Sequence, residues 1–118
     1  MNFLNEAQAY EGEMRAFFED LHRHPEPSHF ENRTNRRVRE QLKAHGIDML
    51  CPKDNITIAV IHGAKPGKTV GLRFDTDALQ LQELCDVPYK SEHDGLMHGC
   101  GHDAHTPCGM YVARLLKA

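Results

Sequence analysis

The feature that most restricts the fold of this chain is a change of hydrophobic period near residue 55. Before it, apolar residues return every three or four positions, the spacing that gathers them on one stripe of a helix. After it they alternate with their neighbours, as a half-buried strand requires. Phe3, Ala7, Tyr10, Met14, Phe17 and Leu21 make the first helical stripe, which predicts a helix from about residue 3 to 22. Pro25 and Pro27 remove amide donors and stop it near His24. Ser28 and Glu31 have the form of a capping box, so a second helix is expected to begin at His29. Its stripe is Phe30, Thr34, Val38 and Leu42, and Gly46 suits a left-handed cap after His45. Arg33, Arg36, Arg37 and Arg39 fall on the same helix and read as a solvated face.

Ile56, Ile58 and Val60 open the alternating region, and Val70, Leu72 and Phe74 resume it beyond the turn chemistry of Ala64-Lys65-Pro66-Gly67. The pattern predicts an antiparallel hairpin whose second strand ends at Asp75 and Asp77. Residues 78 to 102 lack a sustained period and are expected to be irregular, with a short helical turn near Leu79 to Leu84. Thr106 and Pro107 look like the N-cap and first position of a last helix carrying Met110, Val112, Leu115 and Leu116. Helices flanking strands put the chain in the α/β class.

A length of 118 residues suits one domain, and a net charge of -3 leaves no nucleic-acid footprint. No apolar run is long enough for a membrane span. Cys51, Cys85, Cys100 and Cys108 form no C-x-x-C pair and follow no secretion signal, which points to a reduced, cytoplasmic protein. Cys85 and Cys108 read as small packing groups. His22 and His24 read as helix-terminal cations that complement the dipole.

The chemistry concentrates in His98-Gly99-Cys100-Gly101-His102-Asp103-Ala104-His105, where three imidazoles, a thiol and a carboxyl group share eight residues. Thiolate and imidazole suit zinc and related transition metals, and a catalytic ion needs several protein ligands plus a position for water. Cys100 and His102, one glycine apart, are the best local pair. His98 and His105 are ligands or orient their neighbours by hydrogen bonds. Asp75 and Asp77 are ligands, partners of an imidazole, or loop-forming residues.

Three stretches then carry a resemblance. Asp20-Leu21-His22-Arg23-His24-Pro25-Glu26, Leu72-Arg73-Phe74-Asp75-Thr76-Asp77-Ala78-Leu79 and Met97-His98-Gly99-Cys100-Gly101-His102-Asp103-Ala104-His105-Thr106 together resemble the M20 metallopeptidase family. They are most similar to its amidohydrolase branch of N-acyl-amino-acid, hippurate and auxin-conjugate hydrolases. Gln80, Gly99 and Ala104 depart from the commonest residues at their places. The resemblance implies that Cys100 and His102 are ligands of a two-metal centre holding manganese or zinc, with Asp75 and Asp77 beside it in a supporting role. His98, Asp103 and His105 are then candidates for contacts that orient those ligands. It also implies hydrolysis of the amide bond of N-acyl amino acids or related conjugates, a small-molecule substrate, no nucleic-acid or membrane partner, and a full-length form compatible with a homo-oligomer.

The family's water-activating glutamate and remaining ligands lie well beyond this motif. Residues 1–118 are therefore expected to be the N-terminal portion of the catalytic domain, without the lid or dimerisation domain, at most partly metal-binding and inactive alone. A non-enzymatic metal-binding or interaction module with half a site is the competing expectation. A thiol enzyme built on Cys100 has no recognisable oxyanion arrangement to support it.

Overall fold

The computed structural model describes residues 2–118. The first predicted helix is two: α1 (Phe3–Ala9) and α2 (Glu11–Arg23) are separated at Tyr10, whose ψ of -1° leaves the helical range. Asn2 caps α1 through its side chain, accepting from the Asn5 amide at 3.2 Å. α2 ends at His24, where the proline pair was expected to end it.

The next helix, α3 (Asn32–Ala44), begins later than the capping box implied. Glu31 turns its carboxylate back to the His29 amide at 2.8 Å, and His29 sits at φ 74°. The orphan amides of Arg33 and Thr34 donate instead to the carboxylate of Glu26, which caps the helix from the preceding loop. At the other end Gly46, φ 64°, makes the expected left-handed cap, and the Ile47 amide reaches Leu42 O at 2.9 Å.

The hairpin exists but is displaced along the chain. β1 (Asp48–Lys53) pairs antiparallel with β2 (Ile56–Val60) across the two-residue turn Asp54-Asn55, rather than β2 pairing with residues 70–74. Between Leu50 and Lys53 the register slips by a bulge, which accommodates Pro52, a residue with no amide to give the ladder. The Arg39 guanidinium gathers the turn carbonyls, with Lys53 O at 2.7 Å and Ile56 O at 2.9 Å, while Arg33 and Arg37 both pair with Asp20. The arginine cluster is thus an internal clamp more than a solvated face. Against burial, those two guanidinium groups hold the Asp20 carboxyl below its ordinary range.

Residues 61–77 form no ladder, and Val70 is 81% exposed. A strand needs a hydrogen-bonded neighbour, and a cleft of about 670 Å³ lined by Ile58, Ile61, Val70, Leu72, Val112 and Leu116 lies between the 70–72 part of this segment and β2. The expected turn near Leu79 to Leu84 does not form either. Leu79 bridges Met97 through paired backbone bonds of 2.9 and 3.0 Å, and the Ala78 amide donates to Glu26 O at 2.8 Å.

α4 (His102–Lys117) starts a turn earlier than predicted, behind Gly101 at φ 102°. Pro107 therefore lies inside it and leaves the Asp103 carbonyl without its helical donor. Thr106 does not cap; its buried hydroxyl lies 2.8 Å from Asp75 O and 2.9 Å from His102 O. Phe17 and Leu21 of α2, Val38 and Leu42 of α3, and Met110, Tyr111 and Ala113 of α4 close the core with Ile47. Phe74 lies flat on Gly109, where a Cβ would come within 2.6 Å of its ring, so the segment bearing Asp75 and Asp77 is seated against α4. Among the described residues no helix is long and apolar enough to cross a membrane.

Candidate metal centre

The motif residues converge where this seated segment meets the start of α4. Gly101, in a conformation that strains any residue with a side chain, turns the backbone between Cys100 and His102. The Cys100 thiol is exposed. His102 Nδ1 lies 2.9 Å from both the carbonyl and the carboxyl oxygen of Asp77, so that nitrogen carries the proton and donates. Nε2 is left without a close partner, with Asp75 Oδ2 at 3.9 Å. A carboxyl group holding one imidazole nitrogen while the other stays free is the arrangement that orients a histidine ligand. Asp75 is also tied to Arg73 at 2.7 Å.

His105 faces the same segment in another role. Its Nδ1 accepts from the Asp75 amide at 3.3 Å and its ring meets the Phe74 edge. His98 is buried, and neither of its ring nitrogens has a partner. Burial pushes its pKa below the ordinary 6.5, which keeps the ring neutral. The thiol and the imidazole fit a transition metal by type, but among the described residues no three His, Cys, Asp or Glu side chains are gathered closely enough to hold an ion.

Behind the motif lies a cluster that sequence reasoning missed. His22 is no helix-terminal cation in solvent: it is buried, with Nδ1 2.7 Å from Asp103 Oδ2 and Nε2 2.7 Å from Glu83 Oε1. Glu83 accepts in addition from the Ser91 amide at 2.9 Å. Burial opposes the charged ring, but the bonds to Glu83 and then Asp103 outweigh it and raise the His22 pKa above 6.5. Burial likewise pushes the Glu83 carboxyl up, and the Ser91 amide and His22 more than reverse it. No local signal singles out Glu83, a lone carboxylate in a loop; only the long-range fold brings it within reach. Cys85 and Cys108, expected to pack as small apolar groups, are exposed.

Residues 71–118 match the profile of Peptidase family M20/M25/M40. The chain is 41% identical over 100 residues to the N-acetylcysteine deacetylase of Bacillus subtilis, covering 83% of this chain and 26% of that protein. It is 35% identical over 120 residues to the hippurate hydrolase of Campylobacter jejuni, covering 100% of this chain and 31% of the relative. Among solved structures, the Bacillus subtilis YXEP protein, described as a dinuclear metal binding peptidase, superimposes with a TM-score of 0.88 at 38% identity, over 93% of this chain and 32% of its own. The chain spans about a quarter to a third of the length of these relatives.

Proposed function

The chain belongs to the M20 peptidase family, and from that premise we propose that residues 1–118 form the N-terminal wall of the catalytic domain of a metal-dependent amidohydrolase. Cys100 and His102 are the protein's ligands in this reading, Asp77 orients the His102 ring, and Asp75 supports it from the same segment. The observation that carries it is the His102 ring itself, tethered to Asp77 at 2.9 Å through Nδ1 with Nε2 free beside an exposed thiol. Two divalent ions, zinc or manganese, would polarise the scissile carbonyl and supply hydroxide when bound. The chain's own residues hold the ligand atoms in place: Asp77 takes Nδ1 of His102, which leaves Nε2 as the nitrogen available to an ion. Glu83 is not the proton carrier, because both its oxygens are engaged by His22 and one also by Ser91. The substrate class is N-acyl amino acids, supported by the two hydrolases to which the chain is similar. Four free cysteines support a reducing, cytoplasmic setting.

By themselves these residues are expected to bind metal weakly and to hydrolyse little, since no three donors are gathered among the described residues. The test is metal analysis of the purified chain after dialysis against zinc. Retained zinc in the wild type and its loss in Cys100→Ser supports the assignment, and equal trace metal in both rejects it. Hydrolysis of N-acetylcysteine or hippurate by this chain, abolished by a chelator and by Cys100→Ser, would establish the chemistry and overturn the expected inactivity.

A further inference from the structure

The strongest unexplained feature is the buried cluster behind the metal loop. We propose that His22, clasped between Glu83 and Asp103, is a positioning residue that sets the geometry of Cys100 and His102. The inference rests on the metal-site reading above and deepens it.

Three elements distant in sequence meet at one ring. His22 comes from the last turn of α2, Glu83 from the irregular connection, and Asp103 from the first turn of α4. Carboxylate oxygens only accept, so bonds of 2.7 Å at both ring nitrogens require both to donate, and the ring is an imidazolium. Two aromatic rings lie beside it, with the Tyr89 centroid at 5.3 Å and the Phe18 centroid at 5.8 Å. Both carboxyl groups are buried, so water does not compete for them.

The clasp acts on the loop through Asp103, the residue next to His102. α4 has no side-chain cap, and the backbone bonds that anchor the connection from 78 to 101, Ala78 to Glu26 O and Glu92 to Arg23 O, lie upstream of the Cys100 loop. Asp103 carries the restraint instead: Oδ2 takes the His22 bond while Oδ1 accepts from the Ala104 amide at 3.1 Å. Asp103, the residue that follows His102, is therefore pinned from the core side, as the His102 ring is pinned by Asp77 from the opposite segment. Cys100 and His102 flank Gly101, a residue with wide conformational freedom, so their relative placement depends on such outside anchors. Glutamine at position 22 could serve one carboxyl group with its amide but not both.

The experiment is cobalt(II) titration of the full chain and of His22→Gln, Glu83→Gln and Cys100→Ser, followed by the near-ultraviolet thiolate-to-cobalt absorption, with helical circular dichroism recorded on the same samples. The expected result is that His22→Gln and Glu83→Gln keep the helical signal while the cobalt Kd weakens about ten- to a hundred-fold and the thiolate band falls. Cys100→Ser should lose the band altogether. If Cys100→Ser loses it while folded His22→Gln and Glu83→Gln match the wild type in Kd and band, the positioning role is wrong and the metal reading stands. If both clasp variants unfold, the cluster is purely structural and the proposal is overturned. A wild-type chain that takes up no cobalt overturns both readings.

Discussion

The helical part of the molecule and the segment from residue 61 to 101 are held by different forces. α2, α3 and α4 close on an apolar core centred on Leu21, which is fully buried. The segment contributes little apolar burial: Val70, Leu72 and Leu84 are all exposed, and it is tied to the helical part by the Ala78 amide on Glu26 O, the Glu92 amide on Arg23 O and the His22 clasp. Apolar packing is non-directional and supplies stability, whereas hydrogen-bonded charge fixes distances and angles. The functional atoms sit where the second kind of force meets the first.

Removing packing from the helical part should have the largest effect. Leu21→Ala is expected to lose about 3 kcal/mol in denaturant unfolding, because it leaves a cavity among side chains that cannot collapse; a loss under about 1 kcal/mol would mean the core is not where the contrast puts it. At the seam between the regions, Glu26→Ala should cost about 1 kcal/mol by leaving the first α3 amides uncapped, while Ser28→Ala should stay within about 0.5 kcal/mol. Equal losses would restore the capping box in place of the Glu26 cap.

The clasp adds a pH signature. The raised pKa of His22 gives stability that is complete below its unfolded value near 6.5 and disappears as pH climbs through the folded value. The lowered pKa of Glu83 gives stability present above its unfolded value near 4.5 and lost as pH falls through the folded one. The melting temperature of the wild type should therefore exceed that of His22→Gln most between about pH 4.5 and 6.5, and the gap should narrow toward pH 9. A gap that widens steadily above pH 7 would sink the imidazolium assignment. The smallest effect belongs to the exposed segment, where Val70→Ser should change stability by less than about 0.5 kcal/mol; a large loss would mean that Val70 is packed after all.

The stop at Pro25, the cap at Gly46 and most of the helical stripes follow from residue order, although Phe3, Phe30 and Leu116 are exposed, while the family resemblance alone set Asp77 beside the site. Each depends on neighbours a few positions apart, or on motifs that resemble the M20 family, whose profile matches residues 71–118. What residue order could not decide was which alternating run pairs with which. Val70, Leu72 and Phe74 have a strand's pattern, but pairing is a contest between segments, and Asp54-Asn55 closes β1 onto β2 first at the smallest loop entropy. The start of α4 was misplaced for a similar reason: Thr106 and Pro107 are good helix-start residues, yet Gly101 and the long-range bonds of Asp103 set the first turn. His22 and Glu83 are 61 residues apart, and no local preference hints that one imidazole will link two carboxyl groups. That choice belongs to the tertiary structure, because only a packed core can hold three distant elements close enough, and dry enough, for such bonds to form.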